Sequence, residues 1–150
     1  MNNEVLKTIE SRRSVRAYEP APLTDEEVDA IVNAGIYAPS AANQQSWHLT
    51  VIRTKDVIDR LNEDIKQTLR NSPEKHNQTY GSTPEFHVFY NAPLVVLVSG
   101  QEGNIAPMAD CSAAIQNMLL AAESLGIGSC WIAFTLMHFT DTTKNAAASL

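Results

Sequence analysis

No apolar run in the 150-residue chain approaches the roughly 20 residues that a bilayer-spanning helix needs, and the amino terminus, MNNEVLKTIESRR, lacks the apolar core of a secretory signal. Neither membrane insertion nor export is expected. The chain has two cysteines: Cys111 falls in a helical pattern and Cys130 in a strand-like one, each among apolar neighbours. Two are too few for a disulfide framework and fit buried free thiols in a reducing, cytoplasmic setting. Basic residues are outnumbered, 11 against 17 acidic, so no global field draws the chain to nucleic acid or anionic lipid. His48, His76, His87 and His138 stand at no metal-ligand spacing with one another or with the cysteines, and no metal site is expected. Ser14, Ser40, Ser46 and Ser99 lack the context of a nucleophile elbow. The glycines of LGIGSCW run from helix to strand, the reverse of a dinucleotide fingerprint.

What is present suffices for one domain over residues 1–150, with 44% hydrophobic residues. Val5, Leu6 and Ile9 predict a short first helix that Asn2 or Asn3 can cap. In PLTDEEVDAIVNAGIYAP, Thr24 and Glu27 form a capping box, Leu23 and Val28 stand at staple positions, and Pro39 ends the helix near Tyr37. WHLTVIR alternates as a strand. Val57, Ile58, Leu61, Ile65 and Leu69 then mark a helix up to Asn71-Ser72-Pro73, and Ser72 to Thr83 is expected to be a mobile loop. APLVVLVSG has the continuous apolar character of a strand buried on both faces at the centre of a sheet. A long helix through Cys111, Ile115, Met118, Leu119, Ala122 and Leu125 stops at Gly126. It is apolar or small nearly all round, so the sheet must cover one side, and a second subunit can approach closely at Ala113, Ala114 and Ala121. GSCWIAF is expected to form a third strand, and FTDTTKNAAASL starts helically. Helices alternating with three short strands indicate an α/β or α+β sandwich.

Two stretches carry candidate chemistry. SRRSVR gathers Arg12, Arg13 and Arg16, half of the six arginines, around Ser14 in an otherwise acidic chain. Guanidinium groups beside a hydroxyl suit bidentate binding of phosphate. A solvated turn paired with Glu10 and Glu19 explains the same cluster. YAPSAANQQSWHLTV places Pro39, Ser40, Ala41, Asn43 and Gln45 in a loop without charge, which suits a neutral, hydrogen-bonding ligand better than open water. An ordinary amide-rich turn is the alternative. A phosphate site, a polar heterocycle and an apolar body bearing Trp47 and Trp131 would together describe flavin mononucleotide (FMN).

The stretch SRRSVRAYEPAPLTDEEVDAIVNAGIYAPSAANQQSWHLTVI, with NAPLVVLV and AAIQNMLLAAESLGIGSCWIA, closely resembles the nitroreductase family of FMN-dependent oxidoreductases, from about Leu6 to Ala133. The resemblance implies an α+β sandwich with a central, mostly antiparallel sheet flanked by helices, and an intertwined homodimer with two FMN sites at its interface. It assigns Arg12 to the FMN phosphate with Ser14 helping, gives Arg13 a share in the positive potential, and brings Arg16 to the pyrimidine edge of the flavin ring. Pro39, Ser40, Ala41, Asn43 and Gln45 match the loop that reaches the flavin from the partner subunit. Trp131, Ile132 and Ala133 match a segment whose backbone runs beside the ring.

The activity implied is hydride transfer from NADH or NADPH through flavin to a nitroaromatic, quinone or related small-molecule acceptor, with ping-pong kinetics and no catalytic side chain, the flavin carrying the chemistry. A flavin-binding or structural dimer without turnover is the alternative. Phe86, Phe89 and Tyr90 line a ring-stacking cavity or pack as core. Compared with the family pattern, the chain is expected to lack a further strand with a Gly-Tyr-Pro-like turn and a late basic residue that completes the phosphate site.

Overall fold

A computed structural model of the chain describes residues 3–140. Helix α1 (Glu4–Ser11) starts at Asn3, whose Oδ1 accepts the Leu6 N–H at 2.9 Å. Helix α2 (Asp25–Ile36) starts on the full capping box: the Glu27 N–H donates to the Thr24 hydroxyl at 3.2 Å, and the Thr24 N–H donates to the Glu27 carboxylate at 2.8 Å. Strand β1 (Trp47–Ile52) pairs antiparallel with β2 (Val95–Gly100), in a register that sets Trp47 opposite Gly100 and Ile52 opposite Val95.

Between these strands the chain makes a helical hairpin. Helix α3 (Lys55–Arg70) turns Ile58, Leu61, Ile65 and Leu69 into the core against Ile52, Val88 and Phe89. Each such aliphatic side chain contributes about 1.5–3 kcal/mol on full burial. Where a loop was expected from Ser72 to Thr83, the chain forms helix α4 (Lys75–Ser82). It docks on α3 through Gly81, where a Cβ would lie 2.6 Å from the Arg70 backbone nitrogen, and through the Arg70 Nε–H donated to the Gly81 carbonyl at 2.7 Å. With Gly81, Arg70 and the ring of Tyr80 against Phe86 and Phe134 as its ties, the helix has no recurring apolar stripe for periodicity to detect.

Helix α5 (Pro107–Ser124) takes Pro107 as its first residue and ends in a Schellman motif. The Gly126 N–H donates to Glu123 O at 3.0 Å and the Ile127 N–H to Ala122 O at 2.9 Å, with Gly126 at φ 74°. Helix α2 lies close along α5: a Cβ on Gly35 would meet the Met118 side chain at 3.0 Å, and the Asn117 amide donates to Ala34 O at 3.0 Å.

The expected third strand is reduced to one parallel bridge between Ser14 and Ser129, after which the chain turns into α6 (Phe134–Thr140). Cys130 is half-buried, whereas Cys111 is buried as expected. Strand β2 is not central either, since among the described residues it pairs with β1 alone. Its other side faces an apolar cavity of about 590 Å³ shared with α5 and with residues 126–132. Beyond Thr140, the rest of the predicted helical end lies outside the described residues. No helix among them is long and apolar enough to cross a membrane.

Candidate functional site

The arginine segment leaves α1 in extended form and is fastened to the loop after α5. The Val15 N–H donates to Ser129 O at 2.9 Å, and a Cβ on Gly128 would strike the Val15 side chain at 2.9 Å. This close approach brings Arg12, Arg13, Ser14 and Arg16 beside the stretch that leads into Trp131, Ile132 and Ala133. Ser11 adds a tie to the last turn of α5, its hydroxyl donating to Glu123 Oε1 at 2.6 Å.

The three guanidinium groups are used differently. Arg13 turns back over the end of α1 and donates from Nη1 to the carbonyls of Glu10, Ser11 and Arg12 at 2.7–3.2 Å, where cations complement the helix terminus. Arg12 is half-buried and has no side-chain partner among the described residues. Arg16 is exposed, makes a long 3.4 Å bond to Ser14 O, and rests over the ring of Tyr90 with Cζ 5.8 Å from the centroid. Tyr18 stands beside them, donating its hydroxyl to Val15 O at 2.7 Å. Burial, helped by the nearby Cys130, pushes the Tyr18 phenol up to about 12, while Arg16 pulls the other way.

The neutral loop is wired tightly. Ala42, Asn43 and Gln45 all adopt left-handed backbone, at φ 49°, 54° and 49°. For Ala42 and Gln45 this conformation is disfavoured by about 1–2 kcal/mol each. Asp110, 4% exposed in the first turn of α5, offsets it: Oδ1 accepts the Ala41 N–H at 3.0 Å and Oδ2 the Ser46 hydroxyl at 2.8 Å. The Ser40 hydroxyl accepts the Gln45 N–H at 2.9 Å, and the Gln44 side chain accepts the Ile105 N–H at 2.9 Å. Pro39, Asn43 and Gln45 remain exposed on the outside of this frame.

The two groups of predicted residues are therefore not together within one chain. The loop is tied to α5 at Asp110 and the arginine segment near Glu123, thirteen residues or about 20 Å further along the helix axis. The sequence reading missed Asp110, Tyr18 and the Tyr90 seat of Arg16. For Asp110 a signal exists, a lone acid in the first turn of an apolar helix; its partners lie 64 and 69 residues away, beyond any spacing rule. No group of three or more metal-ligating side chains occurs among the described residues.

A model of the nitroreductase family matches residues 9–145. An Archaeoglobus fulgidus protein named for NADH dehydrogenase/NAD(P)H nitroreductase is 34% identical over 86% of this chain and 67% of its own length. The NADPH-flavin oxidoreductase of Vibrio harveyi is 31% identical over 87% of this chain and 53% of its own. The chain thus spans between about half and two thirds of these curated relatives. Among solved structures, a Bacteroides fragilis nitroreductase with bound FMN superposes with a TM-score of 0.89 at 41% identity, covering 93% of this chain and 75% of that one. A nitroreductase with bound FMN from Desulfitobacterium hafniense gives 0.84 at 30% identity, covering 93% and 74%. Every element from α2 to α6 lies inside the matched region, and the chain belongs to the nitroreductase family.

Proposed function

We propose that this chain forms the FMN site of a homodimeric, NAD(P)H-dependent flavin oxidoreductase, each site being made from the arginine segment of one subunit and the neutral loop of the other. The observation that carries this reading is the placement of two ligand-like half-sites at opposite ends of α5, each prepared and neither closed. A two-fold axis across α5 would bring the loop end of one copy to the arginine end of the next.

The residues present fit FMN. Arg12, a half-buried guanidinium without a side-chain partner among the described residues, would take the phosphate in a charge-assisted, bidentate bond, with the Ser14 hydroxyl beside it. Arg13 adds positive potential but is held to the end of α1. Arg16 would lie at the pyrimidine edge of the ring, where negative charge grows on reduction and a fixed cation favours the reduced state. Pro39, Ser40, Ala41, Asn43 and Gln45 would close over the ring from the partner, and the frame around Asp110 makes that surface rigid before any ligand arrives. The backbone of Trp131, Ile132 and Ala133 would run along the ring. When bound, FMN supplies the redox chemistry, accepting a hydride from NADH or NADPH and passing electrons to a small-molecule acceptor such as a nitroaromatic or a quinone. Donor and acceptor would use one cavity in turn, which gives ping-pong kinetics. The protein then needs to hold, orient and exclude water, and no side chain has to act as acid or base. Two free thiols suit a cytoplasmic setting.

Anaerobic addition of NADH or NADPH to the FMN-loaded protein tests the reading. Bleaching of the flavin absorbance, followed by recovery on adding a quinone, is expected; bound flavin that neither donor bleaches would leave a flavin carrier instead of an enzyme. A flavin-loaded monomer at micromolar concentration would contradict the shared site.

A further inference from the structure

The turn that carries Tyr90 is built around one imidazole. His87 Nδ1 accepts two backbone N–H groups, from Phe89 at 3.2 Å and Asn91 at 3.4 Å, and the His87 carbonyl accepts the Tyr90 N–H at 2.8 Å. Inside this wrap Tyr90 and Asn91 are both left-handed, at φ 52° and 56°, a conformation unusual for two successive residues other than glycine. Asn62, buried on α3, fixes the other side by accepting the Val88 N–H at 2.8 Å. With Nδ1 engaged as an acceptor, the neutral ring carries its proton on Nε2, as assigned from these hydrogen bonds. That Nε2 is buried without a hydrogen-bond partner among the described residues, and Asp59 Oδ1 lies 3.7 Å away, within ion-pair but not hydrogen-bond range.

We propose that His87 is the positioning residue for the Arg16 end of the site: its Nδ1 lone pair sets the left-handed Tyr90–Asn91 turn that seats the guanidinium, and a proton on Nδ1 opens that turn. An N–H at this position would point at two N–H donors that have no other acceptor among the described residues. Tyr90 would then lose its place under Arg16 and its edge-on contact with Phe86. The charges facing the ring come from α3. Asp59 favours the imidazolium, while Lys55 and the buried Lys66 oppose it, and burial, the largest influence, holds the imidazole below its ordinary value of about 6.5. A depressed value means that the turn is fully supported above about pH 6.5 and loses support as the pH falls from there toward the value of the folded ring. The link from this turn to electron transfer rests on the flavin reading; the turn itself does not.

Amide hydrogen exchange on the flavin-free chain at pH 7.0 and 5.0, corrected for intrinsic rates, tests the proposal. Protection at Asn91 and Phe89 should fall about ten-fold or more at pH 5.0 while Ile65 and Leu69 of α3 keep theirs. The Arg16 Nε–H resonance should move over the same pH range as Tyr90 leaves it. In His87→Asn, whose Oδ1 replaces Nδ1 as acceptor but does not titrate, protection should persist at both pH values; in His87→Phe it should be absent at both. Unchanged protection in the parent chain would overturn the proposal, as would a parallel loss in His87→Asn, an Arg16 signal that does not follow, or loss of the α3 amides in step. Because no flavin enters the measurement, failure of FMN to bind would count against the functional reading alone.

Discussion

The two ends of α5 solve opposite problems. At the Asp110 end the loop that contains three left-handed residues is pinned on both sides: Asp110 accepts the Ala41 N–H and the Ser46 hydroxyl, the Asn43 N–H donates to Ser40 O and the Gln45 N–H to the Ser40 hydroxyl. At the Glu123 end the segment is fastened, by the Val15 N–H to Ser129 O and by the Ser11 hydroxyl to the Glu123 carboxylate, but among the described residues Arg12 has no side-chain partner and Arg16 only a weak one. A surface that contributes shape is useful only when rigid, so its backbone is pinned from within while Asn43 and Gln45 stay exposed. A surface that contributes charge must leave that charge available, so Val15 and Ser11 carry the ties that hold it.

The difference predicts how each end fails, and the largest effect is expected at the wired one. Asp110→Ala leaves the Ser46 hydroxyl and the Ala41 N–H unpaired below a strained loop, and should lower stability by about 2–4 kcal/mol in chemical denaturation. Asp110→Asn, which still has one acceptor and one donor, should lose less.

At the open end the order reverses, with binding affected and folding spared. Arg12→Ala should weaken FMN by about ten-fold or more, the loss of one charge-assisted contact of roughly 1.5–3 kcal/mol, and change stability by no more than about 0.5 kcal/mol. Arg13→Ala should show the opposite split, losing about 0.5–1 kcal/mol of stability with its carbonyl contacts at α1 and less FMN affinity than Arg12→Ala. Apoprotein titration with FMN beside urea melts would check both. Equal affinity losses would mean that the segment acts as a diffuse positive patch.

Arg16→Gln keeps a donor but deletes a charge that interacts more strongly with the reduced ring than with the oxidised one. It should lower the midpoint potential of the bound flavin and slow its reduction, with a smaller affinity loss than Arg12→Ala. An unchanged potential would remove Arg16 from the ring.

The smallest effect concerns Tyr18. Its folded value of about 12 lies above that of an ordinary phenol near 10, so its contribution to stability is complete below pH 10 and is lost as the pH rises from about 10 to 12. Ultraviolet titration should show one late tyrosinate that Tyr18→Phe abolishes.

Legibility in the sequence followed the range of the interactions. Helices α2, α3 and α5 were visible because a capping box, a 3.6-residue apolar period and a terminal glycine are local signals. The arginine cluster and the uncharged loop were visible for the same reason. Helix α4 was not, since Gly81 docks it by close approach and Tyr80 by ring contacts, without a recurring apolar stripe. The strand predicted from GSCWIAF failed because its apolar residues serve the cavity wall and α6, leaving one bridge at Ser129. Asp110 and His87 both act on backbone N–H groups, and a backbone group leaves no mark in a sequence. The grouping of the arginine segment with the loop comes from the resemblance alone, because their anchors on α5 stand about 20 Å apart along the helix and no local spacing links them.

Subunit complementation tests the shared site most directly. Arg12→Ala damages the charged half, and Asn43→Asp, which tolerates the left-handed backbone, damages the loop half. Each homodimer should bind FMN weakly. Mixed by co-expression, half of the dimers should be hybrids, each with one intact site, so about a quarter of all sites should regain parental affinity in an FMN titration. If each site instead lies within one chain, no high-affinity class will appear at any mixing ratio, and the account of two half-sites joined across α5 will be wrong.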